Sequence, residues 1–112
     1  MKLIIAGGRD YMFSPRDLLL LNGLSIEIKI EEVVSGCAKG ADTEGENWAR
    51  SLDIPIKRFP ADWNNWGRMA GFIRNAEMAQ YADAVVLFPG GKGTEHMHKV
   101  AKSHKLKIYD WR

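Results

Sequence analysis

The stretch Ala84-Val85-Val86-Leu87-Phe88-Pro89-Gly90-Gly91-Lys92-Gly93-Thr94 constrains this chain more than any other. An apolar run without polar alternation reads as a strand buried on both faces, and such strands belong to parallel sheets. Pro89 has no N–H to give the ladder and ends the strand. Gly90, Gly91 and Gly93 permit positive φ and let the backbone approach a ligand with no Cβ in the way. Thr94 is the expected N-cap of a following helix. Free amides and the positive end of a helix dipole at that place suit an anion, most often a phosphate. The pattern is neither G-x-G-x-x-G nor G-x-x-x-x-G-K-[ST], so it supports neither a Rossmann dehydrogenase nor a P-loop NTPase. Taken alone it also fits a plain strand-to-helix turn. What favours a site is that two other predicted strand ends carry loops of the same character.

The first of these is Met1-Lys2-Leu3-Ile4-Ile5-Ala6, a short buried strand that runs into Gly7-Gly8-Arg9-Asp10. Ser14-Pro15 is an N-cap and first helical position, which predicts a helix from Pro15 to about Asn22, stopped by Gly23, with a wide apolar face from Leu18 to Leu21. Residues Leu24 to Ile30 alternate apolar and polar, the pattern of a strand or of an extended connection. Glu32-Val33-Val34-Ser35-Gly36 is the second core strand, leading into the small-residue loop Cys37-Ala38-Lys39-Gly40-Ala41-Asp42. A helix follows with Ala41, Gly45, Trp48, Ala49 and Leu52 on one face, and Asp42, Glu44, Glu46 and Arg50 elsewhere. Ile54 to Phe59 is a third strand, whose Pro55 puts it at a sheet edge or stands at its start. Asn64 to Arg68 reads as loop, a helix is predicted from about Met69 to Ala82, and Leu106 to Trp111 is a last strand.

Strands that alternate with helices predict an α/β fold: a Rossmann-like parallel sheet of about five strands, helices on both faces, in a single domain over residues 1–112. In such sheets the ligand lies outside the carboxyl ends of the strands, where strand order reverses. All the glycine-rich loops fall at carboxyl ends.

Composition excludes several classes. At 112 residues the chain has room for one core and no separate substrate domain, so a deep active site would need a second subunit. A single cysteine, Cys37, allows neither an internal disulfide nor a cysteine-rich zinc site and suits a reducing cytoplasm. No apolar window is long enough to span a membrane, and the first apolar run reaches Gly7 too soon for a signal peptide, so the expected compartment is the cytoplasm. The net charge is only +2, and the run Lys99, Lys102, Lys105, Lys107 reads as a solvated helix face rather than a nucleic-acid surface.

Arg9 and Arg74 carry the planar guanidinium that matches phosphate or carboxylate with two prongs. Asp42 stands where a helix begins and suits either a cap or a hydrogen bond to a ribose hydroxyl. Trp63 and Trp66 lie outside any periodic stripe, and an aromatic face there suits stacking on a nucleobase or anchoring of the loop. His96 and His98, two apart on a helix, point in different directions and make a poor metal pair, and no metal or other cofactor is expected.

At these residues the sequence resembles the SLOG superfamily, most closely its small single-domain YspA-like (cpYpsA-related) branch. The resemblance rests on Ile4 to Asp10, Val33 to Asp42, Phe59 to Trp63, Ala70-Gly71-Phe72-Ile73-Arg74-Asn75 and Phe88 to Thr94, nearly the whole chain. It implies a Rossmann-like sheet that binds a nucleotide or nucleotide-derived ligand, commonly in a dimer or larger homo-oligomer. The candidate ligand-binding set is then Gly7, Gly8, Arg9, Ser35, Gly36, Asp42, Trp63, Arg74, Asn75, Pro89, Gly90, Gly91, Gly93 and Thr94. The more distantly similar "lonely guy" enzymes, which cleave the N-glycosidic bond of nucleoside monophosphates, have an arginine matched here by Arg74 and a Pro-Gly-Gly-x-Gly-Thr-x-x-Glu motif. Here the glutamate position is Met97, which can neither stabilise an oxocarbenium charge nor accept a proton. Catalytic candidates are Arg74 and Glu95, although Glu95 points about 160° round a helix from position 97. The expectation is therefore a module that senses, carries or sequesters a phosphorylated ribose ligand. The alternatives are a phosphoribohydrolase and, behind it, a DNA-associated module.

Overall fold

Leu3 and Ile5 of the first strand point to one side of the sheet, Ile4 and Ala6 to the other, and both sides are packed with apolar side chains. A computed structural model describes residues 1–112. The elements in order are β1 (Lys2–Ala6), α1 (Pro15–Glu27), β2 (Glu32–Ser35), α2 (Ala41–Ser51), β3 (Ile56–Arg58), α3 (Trp63–Trp66), a 3₁₀ turn (Gly67–Met69), α4 (Ala70–Tyr81), β4 (Ala84–Leu87), α5 (Lys92–Ser103) and β5 (Lys107–Asp110).

All five strands are parallel, in the order β3-β2-β1-β4-β5. Leu21 and Leu24 of α1 and Trp48 and Ala49 of α2 cover one face; Met78 and Ala79 of α4 and Met97 and Ala101 of α5 cover the other. Strands covered on both faces have no polar side, so Val33-Val34 and Ala84 to Phe88 run apolar without interruption. Strand order reverses between β1 and β4. The chain leaves β1 for one face and β4 for the other, and the diverging connections open a crevice at the carboxyl ends of these two strands.

Several local expectations are corrected. Gly23 does not stop α1, which continues to Glu27, so Leu24 to Glu27 is helix rather than strand or extended connection. Leu21 and Leu24, three apart, share the face against the sheet. Burying a second leucine outweighs the roughly 1 kcal/mol that glycine costs in a helix. The face from Leu18 to Leu21 is not wide: Leu21 is buried, whereas Leu18, Leu19 and Leu20 are exposed. Asn64 to Arg68 is not loop, because Asp62 accepts from the Asn65 N–H at 3.2 Å and caps a single helical turn. On α2, Ala41, Gly45, Trp48 and Ala49 are buried as the predicted face requires, but Asp42 and Glu46 are buried beside them and Leu52, just past the helix end, is exposed. Thr94 is not the N-cap of α5, since Gly91 is and Thr94 lies in the first turn. No residue from Gly90 to Gly93 has positive φ; in the site loops it occurs at Cys37 and Gly40.

Candidate functional site

Three loops meet at the crevice and are tied to one another by backbone. The Gly8 N–H donates to the Pro89 carbonyl at 2.8 Å, and the Ala41 N–H donates to the Gly8 carbonyl at 3.1 Å. A Cβ on Gly40, where φ is +74°, would lie 2.2 Å from the Gly8 carbonyl oxygen, and one on Gly90 would lie 2.2 Å from Thr94 Oγ1 and 2.7 Å from Gly8 N. Glycine at these two positions lets the β1, β2 and β4 loops close on each other.

The β2 loop has a buried support of its own. Ser35 Oγ donates to Glu46 Oε2 at 2.5 Å and accepts from the Cys37 N–H at 3.1 Å, which helps hold Cys37 at a φ of 65°. Glu46, 5% exposed, also takes Arg50 at 3.0 Å and Arg58 at 3.3 Å. Burial pushes its carboxyl pKa up, but the Ser35 hydroxyl and the two guanidinium groups outweigh that and bring it below the ordinary value. Sequence periodicity missed Glu46 because a glutamate flanked by polar residues reads as solvent-facing.

Between the loops lies a cavity of about 330 Å³. Gly7, Gly8 and Arg9 line one side, the first turn of α5 (Gly91 to Thr94) lines another, Arg74 and Asn75 of α4 face them, and Ala6, Met78 and Met97 form apolar wall. A second cavity of about 680 Å³ adjoins it, sharing Arg9, Ala38 and Arg74 and adding Gly36, Lys39, Pro60 and Trp63. Trp63 is half exposed along that wall, whereas Trp66 lines neither cavity.

Arg74 donates from Nη1 to the Gly36 carbonyl and from Nε to Asn75 Oδ1 at 3.1 Å, and no protein acceptor takes the hydrogens of Nη2. Asn75, 6% exposed, donates to the Gly93 carbonyl at 3.3 Å, so Arg74 and the N-terminus of α5 are held by the same side chain. Asp42 is 8% exposed. Its Oδ2 accepts from the Ala38 N–H at 3.2 Å, and no arginine forms an ion pair with it. Burial raises its pKa above the usual carboxylate range, against the opposing pull of the Ala38 amide and the Arg74 charge. The smaller cavity thus carries cation and amide donors on two walls and one desolvated carboxyl on a third. That arrangement suits an anion joined to a hydroxyl-bearing group.

Of the expected ligand-binding set, Gly7, Gly8, Arg9, Asp42, Arg74, Asn75, Gly91, Gly93 and Thr94 line the smaller cavity, and Gly36 and Trp63 line the larger. Ser35, Pro89 and Gly90 line neither. Their positions are structural, as support for Cys37, acceptor for Gly8 and close-packing point of the loops. Lys39 and Lys92 line the cavities without having been singled out, and position next to loop glycines was the available signal. Glu95 is not brought in. Its carboxylate is exposed and bonds Arg112 at 2.8 Å, which lowers its pKa. Met97 is fully buried against the cavity, so a thioether stands at the position that the "lonely guy" motif gives to glutamate. The lysines Lys99, Lys102, Lys105 and Lys107 are exposed and line neither cavity. No group of side chains is arranged to hold a metal ion, and no helix is long and apolar enough to cross a membrane.

A family model described as YspA, cpYpsA-related SLOG family matches residues 1–66. The chain is also similar to the Gene 61 protein of Mycobacterium phage D29, at 32% identity over 87 aligned residues covering 70% of either chain. No solved structure matches.

Proposed function

The chain belongs to the YspA, cpYpsA-related SLOG family, and on that premise we propose that it binds a nucleotide or nucleotide-derived ligand through a phosphate and a ribose. One observation carries the reading: Arg74, with its Nη2 hydrogens unpaired, faces the same cavity as the first-turn amides of α5. The phosphate sits on the amides of Gly91 to Thr94 with Arg74 and Arg9 as counter-charges. Asp42, whose Oδ1 has no protein donor, accepts from a ribose hydroxyl. The base extends into the larger cavity against Trp63, since the two cavities share Arg9, Ala38 and Arg74 and one molecule reaches both.

Binding rather than hydrolysis is the reading that Met97 and Glu95 favour. A buried thioether has no proton to give or take, and the nearest glutamate in sequence is committed to Arg112. Thermal-shift titration with nucleoside monophosphates and dinucleotides, followed by chromatography for free base, tests both halves. Stabilisation by phosphorylated ligands, reaching about 2.7 kcal/mol at a hundred times Kd, with no base released, is the expected result. Failure of every nucleotide to stabilise the protein overturns the binding reading, and release of base with ribose phosphate replaces it with the phosphoribohydrolase.

A further inference from the structure

The direction of Arg74 is set outside the cavity. Its Nε–H can only donate, so the Asn75 atom 3.1 Å away is the carbonyl Oδ1. The amide nitrogen of Asn75 then faces the other way, 3.3 Å from the Gly93 carbonyl and 3.1 Å from His96 Nδ1. An amide nitrogen offers hydrogens only, so Nδ1 must present its lone pair and the imidazole proton stays on Nε2. His96 is half-buried, with its ring packed at a tilt of 39° against Phe72 at a centroid distance of 4.3 Å, and it lines neither cavity.

We infer that His96 is a positioning residue of the anion site: by accepting from Asn75 it fixes the amide in the one orientation that supports Arg74. This rests on the nucleotide-binding reading and adds a control to it. A proton on Nδ1 sets two donors against each other at 3.1 Å. Turning the amide to relieve that clash takes Oδ1 away from Arg74 and the amide hydrogens away from Gly93. The charge that acts on the ring is Lys99, one turn on along α5; Lys92 lies one turn back on the same helix, Arg74 of α4 bonds Asn75, and neighbouring Glu95 is held by Arg112. Burial, and then Lys99, accordingly hold the imidazole pKa below its ordinary value. The site is therefore assembled at neutral pH and loosened in acid.

Two effects of opposite sign make this decidable. An imidazolium acting only as a nearby charge would tighten anion binding in acid, whereas loss of position weakens it. The first measurement is ¹⁵N NMR of the free protein from pH 8 to pH 5, following the His96 ring nitrogens and the Arg74 Nε–H. Expected are an unprotonated Nδ1 and an exchange-protected Arg74 Nε–H at pH 8, with that protection lost in step with His96 protonation. The substitution H96N, which puts an amide oxygen near the place of Nδ1, keeps the protection at every pH, and H96L loses it at every pH. The second measurement is binding of inorganic sulfate, whose charge is constant over this range, with the R74A protein as blank. Sulfate binds on the order of fivefold more weakly to the wild type in acid, by about the worth of one hydrogen bond, relative to the H96N protein, in which the titration of Asp42 is unchanged. An Arg74 Nε–H indifferent both to His96 protonation and to H96L overturns the inference. An Arg74 signal that responds as expected, together with absent sulfate binding, leaves the relay in place and refutes the anion site.

Discussion

Asp42 and Glu46 stand one turn apart on α2, 8% and 5% exposed, and their carboxyl groups are shifted in opposite directions. Two arginines and a serine hydroxyl converge on Glu46; Asp42 has one backbone amide and an open side toward the cavity. Glu46 is fully partnered within the fold, whereas Asp42 Oδ1 has no protein donor, the place that the proposed binding mode gives to a ligand hydroxyl. A pair of like groups whose surroundings push their pKa values apart marks the division between support and function.

Asp42→Asn is expected to stabilise the free protein at neutral pH. The folded-state pKa of Asp42 lies above its unfolded value, so ionisation costs stability, with the cost complete above the folded pKa and absent below the unfolded one. Asparagine keeps an acceptor for the Ala38 N–H without the charge. A gain of about 1 kcal/mol, a few degrees in melting temperature, should appear at pH 7 and vanish below about pH 4, while nucleotide affinity falls. Thermal melts across pH check the sign, and a destabilised D42N protein at pH 7 contradicts it.

Glu46→Gln should act in the opposite direction. The folded-state pKa of Glu46 is depressed, so its contribution is present above the unfolded pKa and disappears as pH falls through the folded one. Loss of the charge-assisted bonds to Ser35, Arg50 and Arg58 is expected to cost about 1–2 kcal/mol at pH 7, shrinking toward zero in acid. Urea denaturation at pH 7 and pH 3.5 measures both values. The cost should also show as weaker ligand binding, because the Ser35 hydroxyl that accepts from the Cys37 N–H is then anchored by a neutral acceptor in place of a carboxylate.

Gly40→Ala and Gly90→Ala test the closure of the loops. Each added Cβ meets atoms 2.2 Å away, and at Gly40 the φ of +74° adds strain. Destabilisation of roughly 2–4 kcal/mol is expected for Gly40→Ala. Gly90→Ala should cost less if Thr94 Oγ1 rotates aside, though the contact of 2.7 Å with Gly8 N remains. A Gly23→Ala protein serves as contrast, since nothing lies within 4 Å of a Cβ there and the residue is inside a helix. It should gain up to about 1 kcal/mol. Chemical denaturation of the three variants should therefore give two losses and one gain.

The parallel sheet was legible because strands buried on both faces carry a signal that needs no partner: Val33-Val34 and Ala84 to Phe88 are apolar throughout. The loops were legible for a similar reason, as glycine clusters mark places where backbone approaches backbone. Arg74 and Asn75 were found through a short motif, not through periodicity. Burial of polar groups was out of reach: Glu46 is held by Ser35 and Arg58 from outside α2 as well as by Arg50 one turn on, Asp42 by the loop before the helix, and a helical wheel registers none of the contacts made from outside α2. The same limit explains α1, where Leu24 in the core carries the helix past Gly23. It also explains Thr94, since which residue caps α5 depends on how tightly Gly90 packs on Gly8.

The most direct test of the account is calorimetric titration of the wild-type and R74A proteins with a purine nucleoside 5′-monophosphate and with the same nucleoside lacking phosphate. Loss of a charge-assisted bond of about 1.5–3 kcal/mol corresponds to roughly 10–150-fold in affinity. The account predicts that the monophosphate binds the wild type, that removing the phosphate weakens binding by at least tenfold, and that R74A abolishes most of that difference. Equal affinity for nucleoside and monophosphate, or an R74A protein that still tells them apart as well as the wild type, would contradict it.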